Sequence, residues 1–347
     1  MNRIPTLDGW RGIAIALVLI DHIQDSLMHH YARPWTETGY HGVTFFFVLS
    51  GYLITSKLLE GPINFKRFYL RRFFRLMPVA WVFLVVLLLL NQLTGRRFTS
   101  LAEVVACVFF YRNFLGWMGV AGHFWSLSVE EQFYVLWPIT LLLARRKLCL
   151  SITILGALGS AVFRGYFWSH YTRTFPTGPT LLHADGLLIG CLTALVLTED
   201  KMVPRIKNWS RYWVLPALGV LAFCMYIQRE EWLLLEKLSI AGLIAATTLH
   251  PSSTLGRALS FLPLTRLGTV SYSVYIWQGL FMPFRNPLAI FILMPLVSLV
   301  SYYFIERPST ALGHRLTSSP QNLDAASLFV PLNSLFRSRG GPVRERT

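Results

Sequence analysis

Charge is scarce in this chain. Of its 347 residues only 14% are Asp, Glu, Lys or Arg, whereas 54% are hydrophobic. A soluble domain covers its core with roughly a quarter charged residues, so a soluble globular protein is excluded. Cysteine is scarce too, and Cys107, Cys149, Cys191 and Cys224 lie scattered in apolar settings. With no CxxC and no His/Cys spacing they read as small hydrophobes, which excludes a disulfide framework and a metal site. No cleavable leader is expected, because Asp21 and His22 interrupt the first apolar run and no small-x-small site follows. Internal repeats of the kind that mark many transporters are missing.

What is present is a succession of apolar runs at residues 10–28, 41–59, 75–93, 128–144, 149–168, 183–198, 212–228, 233–249, 267–284 and 287–305. They predict an all-α, polytopic membrane protein with about ten transmembrane helices. One more segment, 101–115 (LAEVVACVFFYRNFL), is short and carries Glu103 and Arg112. The basic residues decide its place. If it crosses, ARRKL (Ala144–Leu148) and EDKMVPRIKNWSR (Glu199–Arg211) fall outside. If it does not, both are cytoplasmic, together with NFKRFYLRRFFR (Asn64–Arg75) and everything after Glu306. The second arrangement puts 21 Lys and Arg in cytoplasmic segments and 7 in external ones, as the positive-inside rule requires. It predicts both termini in the cytoplasm and a non-spanning or re-entrant 101–115. The net charge of +15 is then topogenic, and no nucleic acid partner is expected. Residues 4–308 form the transmembrane domain. Residues 309–347, basic and without sustained periodicity, are expected to be a disordered cytoplasmic tail whose arginines meet anionic lipid.

Some of these helices carry polar residues that hydrocarbon disfavours. Arg11 and His22 are eleven residues apart, three turns plus about 20°, so they share one helix face with roughly 16 Å between them along the axis. The pair suggests a polar tunnel beside the first helix; a snorkelling arginine and an interfacial histidine fit the same residues. Asp25, three residues past His22, is placed to hold the imidazole in one tautomer. Ser50-Gly51 reads as a close helix contact. Arg72 and Arg75 point the same way on a helix and suit a polyanion, each guanidinium forking onto phosphate oxygens. Topogenic charge and lipid headgroups account for them too.

In HFWSLSVEEQFYVLWP (His123–Pro138), Ser126 shares a face with Glu130, and Glu131 follows. Ser126 or Ser128 also fits as a helix cap. Capping leaves His123 and the aromatic cluster unexplained. HADGLLIGC (His183–Cys191), with Asp185, and SYSVYIWQ (Ser271–Gln278), a polar-aromatic stripe, fit either a cavity lining or plain packing, and packing is slightly favoured.

With these residues in view the chain, from residue 4 to about 308, resembles the acyltransferase-3 family of bacterial membrane O-acyltransferases. Arg11-x10-His22 looks like its Arg/Lys-x10-His signature, Arg72-x-x-Arg75 like its Arg-x-x-Arg, and Ser126-x-x-x-Glu130 like its third. SGYLIT, SYSVYIWQ and FIERP sit in family order. Two departures are Gln278, where the family commonly has His, and His183, where it commonly has Arg; they bear on acceptor choice.

The resemblance implies an enzyme of the bacterial inner membrane. It would move an acyl group, most often acetyl from cytoplasmic acetyl-CoA or another acyl-CoA, to a hydroxyl of an extracytoplasmic or membrane-bound glycan or glycolipid. Arg72 and Arg75 would hold the CoA phosphates, with Arg11 at the entry. His22 would be the catalytic base or an acylated carrier, and Glu130 would hold the imidazolium or the acceptor. Asp25, Ser126 and Glu131 would support them. The competing class is a transporter or flippase for a lipid or sugar that performs no chemistry. It explains intramembrane charge but not the Arg, His and Glu signatures.

Overall fold

The computed structural model describes residues 4–28, 38–115, 119–170, 178–227 and 232–318. Their regular structure is helical throughout: α1 (Pro5–Leu27), α2 (Thr38–Leu59), α3 (Phe65–Thr94), α4 (Leu101–Val108), α5 (Phe124–Leu143), α6 (Arg146–His170), α7 (Ala184–Leu197), α8 (Val203–Ile227), α9 (Leu233–Leu249), α10 (Thr254–Leu259), α11 (Leu262–Phe281), α12 (Met294–Ser301) and α13 (Arg307–Thr317). Two π-helical turns, Ala289–Leu293 and Tyr302–Glu306, join α12 and α13 into one helix, Ala289–Thr317. Each of the ten apolar runs is helical. Five helices are long and apolar enough to cross a membrane: Thr38–Leu59, Phe65–Thr94, Arg146–Phe167, Val203–Ile227 and Ala289–Thr317. Their outer faces carry large apolar side chains such as Val162, Leu215 and Phe304, each more than 70% exposed. Such a surface suits lipid and not water.

Segment 101–115 holds no helix long enough to cross a bilayer. α4 has eight residues and rises about 12 Å, well short of a bilayer core. Ser100 and Glu103 cap its start reciprocally. The chain then turns through Phe110, in the left-handed region at φ 57°, and folds back against α5. There Arg112, fully buried, lies 3.8 Å from Glu103, and its backbone N–H donates to Ser128 Oγ. The Asn113 amide donates to the Gly178 carbonyl and to Thr180.

The first residues past 308 are helical. Residues 309–317 continue the last helix because α13 packs along α3: Arg71 Nε donates to Thr317 Oγ1 at 2.7 Å, and Gly313 rests on Phe74. Residues 319–347 lie outside the described residues.

Close backbone crossings hold the centre together. α2 and α7 meet at Gly51 and Gly190, where a Cβ on either glycine would overlap a carbonyl oxygen of the other helix (Leu187, Val48). The Ser50-Gly51 reading holds, with α7 as the partner. α11 runs parallel to α1: Gly268 lies on the Asp8 carbonyl, and Ser26 Oγ donates to the Met282 carbonyl at 2.6 Å.

A second set of ties is ionic. Asp185, wholly buried, receives Lys237 Nζ at 2.7 and 2.8 Å and Arg164 at 2.8 Å. His41 Nδ1 lies 2.9 Å from Glu236 Oε1. HADGLLIGC is a packing segment, then, but ion pairs linking α6, α7 and α9 do much of that packing. Charges this deep persist only when paired.

Candidate active site

α1, α2, α3, α5 and α11 enclose a column of polar side chains. α1 is unbroken from Pro5 to Leu27, so Arg11 and His22 keep the shared face expected of them. Arg11 lies 3.8 Å from Asp8 and interacts electrostatically with Arg75, Glu130 and Tyr134. Arg11, Arg75 and Glu130 therefore gather at one neck. Near its basic end Lys57, Arg67, Arg71, Arg75 and His314 act on one another, and Arg75 is exposed.

Arg72 differs from the phosphate ligand the spacing suggested. Its guanidinium turns inward onto Glu131, with contacts of 2.5 and 2.7 Å, and stands 3.6 Å from Glu130. It also lies over the Tyr134 ring, 3.4 Å from the centroid. Two carboxylates and an aromatic face already neighbour this cation, because α5 brings Glu130, Glu131 and Tyr134 to the α3 surface that Arg72 leaves; its Nε donates to Glu131, while Nη2 completes no hydrogen bond. Glu130 also accepts from Ser50 Oγ at 2.9 Å. Glu130 thus stands between Arg72 and Ser50, with Arg11 acting on it.

The far end of the column is built around two histidines. His22 Nδ1 is 2.8 Å from the carbonyl oxygen of Val18. A carbonyl only accepts, so Nδ1 carries a proton, and in the neutral ring Nε2 is the nitrogen with the lone pair. The backbone one turn back thus fixes the tautomer, the task the spacing gave to Asp25; Asp25 itself is exposed.

His22 acts electrostatically on His123, which is buried at the start of α5 among Phe83, Phe124 and Tyr275. Tyr275 Oη donates to the His123 carbonyl at 3.0 Å and lies 2.5 Å from Ser126 Oγ. Ser126 sits inside α5 and faces α11; it caps nothing. Ser128 returns to the Phe124 carbonyl. SYSVYIWQ, read as packing, thus supplies Tyr275 to the site.

Sequence reasoning left out Ser50, Tyr134, Tyr275 and the buried Glu306, which accepts from Ser273 Oγ at 2.6 Å and acts on Tyr272 beside the neck. Tyr134 and Ser50 each sit within a quoted stretch, but helical periodicity cannot say which neighbour a face meets.

Known proteins resemble this chain over most of its length. A peptidoglycan O-acetyltransferase of Listeria monocytogenes, OatA, is 32% identical over 316 residues, covering 79% of this chain and 49% of that protein. YrhL of Bacillus subtilis, provisionally named for the same activity, is 31% identical over 363 residues, covering 90% of this chain and 56% of that protein. A Staphylococcus aureus protein provisionally named an O-acetyltransferase is 29% identical over 394 residues, covering 95% and 62%. The chain spans about half the length of the curated relatives it matches. No solved structure matches it. The profile described as "Acyltransferase domain" matches residues 4–306, a stretch that holds every residue of the column, and the chain belongs to that acyltransferase family.

Proposed function

We propose that this chain is a membrane O-acyltransferase that carries an acetyl group from acetyl-CoA to a hydroxyl of a cell-envelope glycan, the acceptor class named for OatA of Listeria monocytogenes. In this reading all ten apolar helices span the bacterial inner membrane with the basic end in the cytoplasm, as the charge distribution favours. The observation that carries the proposal is the pairing on α1: one uninterrupted helix joins a cationic neck to an imidazole whose Nδ1 is held by the Val18 carbonyl.

The donor's phosphates meet Arg75, with Lys57 and Arg71 beside it, and the pantetheine arm passes Arg11. Arg72 shapes the neck by holding Glu130 and Glu131 in place. At the far end Nε2 of His22 takes the proton of the acceptor hydroxyl as its oxygen attacks the thioester carbonyl. The carbon–sulfur bond then breaks, and the thiolate leaves with that proton to become free CoA. Acylation of Nε2 followed by transfer begins from the same lone pair. Apolar surroundings limit loss of the thioester to water.

The test is purified protein in nanodiscs with radiolabelled acetyl-CoA and a soluble glycan. The wild type transfers label, and His22→Ala abolishes transfer while inserting normally. Undiminished turnover in His22→Ala ends the assignment. A protein that moves glycan across the bilayer and never consumes acetyl-CoA is instead the transporter of the competing reading.

A further inference from the structure

Gln278 is 1% exposed, yet neither its amide oxygen nor its amide nitrogen has a hydrogen-bond partner. His123 is 8% exposed, and its Nε2 completes no hydrogen bond, although the Val120 and Ile276 carbonyls act on the ring. Buried polar groups are nearly always satisfied, so two such side chains in one neighbourhood call for an explanation.

Their neighbourhood is that of His22. α11 runs beside α1 in parallel, with Gly268 at Asp8 and Met282 at Ser26, which brings Gln278 to the level of His22. Leu264, Ser271 and Gln278 form one stripe of α11; Leu264 touches α1 at Gly12, and just past the end of α11 the Met282 carbonyl meets Ser26. His123 reaches the same level from α5: its ring lies over Gly279, where a Cβ would overlap Cε1 and Nδ1. Tyr275 and Ser126 hold the backbone of His123 from below. All three side chains stand within about 8 Å of the far ends of their helices, on the side away from the basic neck.

The open atoms also match in kind. The amide offers two N–H donors and an acceptor oxygen, and the imidazole offers one more nitrogen. A thioester carbonyl only accepts and would leave the amide oxygen unmet. An aliphatic hydroxyl both donates and accepts, and neighbouring hydroxyls on a sugar ring present several such groups at once.

We infer that Gln278 and His123 form the acceptor subsite, holding the hydroxyls of a glycan so that one of them meets His22 Nε2. The inference rests on the acyltransferase reading and adds to it the residues that recognise the acceptor.

Two probes test it: chitotetraose, a soluble N-acetylhexosamine chain, and maltotetraose, which lacks the acetamido group. Binding is measured without donor, by tryptophan fluorescence in nanodiscs, and turnover separately with acetyl-CoA. The expected result is at least tenfold weaker binding and a matching rise in acceptor KM for Gln278→Leu and for His123→Phe. Acceptor KM should move by a much larger factor than donor KM in both variants. Gln278→His, which keeps a donor and an acceptor, should recover most of the loss. Gln278→Leu removes an unsatisfied group, so its melting temperature should not fall. Unchanged acceptor binding in both variants, a change confined to donor KM, or no binding of either probe by the wild type overturns the subsite. If the wild type binds a probe but consumes no acetyl-CoA, the acyltransferase reading fails and the subsite stands.

Discussion

Arg72 offers the sharpest test of the neck, because its two possible roles predict opposite behaviour. Its side chain is 19% exposed, those of Glu130 and Glu131 are 17% and 15% exposed, and Glu131 is in contact at 2.5 Å. Breaking a buried pair from one side costs about 3–5 kcal/mol, mostly the stranded partner charge. Partial exposure and the Tyr134 contact put Arg72→Leu near the lower end, about 3 kcal/mol. For a chain of this size that is a fall on the order of 6 °C in melting temperature.

Glu131→Gln strands half a charge less directly, since Glu130 stays near Arg72, and should cost less. The double variant should recover stability, with a coupling energy of about 1.5 kcal/mol or more, well outside the few tenths expected of independent sites. Thermal unfolding of the four proteins in one detergent closes the cycle, and donor KM is measured on the same preparations. If Arg72 instead waits for CoA phosphate, freeing it in Glu131→Gln should lower donor KM. Additive stabilities together with tighter donor binding in Glu131→Gln would refute the strut.

Other expectations follow from the same packing. Arg75→Ala should raise donor KM about tenfold, the loss of one charge-assisted phosphate contact, with melting unchanged, since Arg75 is exposed. Asp185→Asn leaves Lys237 and Arg164 as two buried cations, whereas Lys237→Met leaves a neutral Arg164–Asp185 pair. Asp185→Asn should therefore be the more destabilising by at least about 1 kcal/mol in parallel unfolding curves. Gly190→Val should prevent accumulation of folded protein, because its Cβ would overlap the Val48 carbonyl and backbone cannot yield as a side-chain tip can; fluorescence-detected size exclusion reads this directly. Cysteines placed singly between Gly95 and Gly122 should react with an impermeant reagent only from outside the cell. Labelling from the cytoplasm would overturn the ten-span topology.

The sequence by itself determined a good deal. The lack of charge fixed the membrane class, and the apolar runs located every long helix, because hydrocarbon admits a backbone only as a structure that satisfies its own hydrogen bonds. Helical geometry alone placed Arg11 and His22 on one face of α1, and the short charged segment 101–115 was legible as too short for a spanning helix. What it did not contain were the contacts between helices. Spacing along one helix offered His22 the side chain of Asp25 and offered Arg72 no protein partner at all. The fold instead gave Arg72 the carboxylates of α5 and gave His22 the carbonyl of Val18. Periodicity reports which residues share a face, whereas the partner of that face is set by crossings such as Gly51 on Gly190 and Gly268 on Asp8. For that reason the His123, Tyr275 and Gln278 neighbourhood, drawn from α5 and α11, existed only once the bundle had closed.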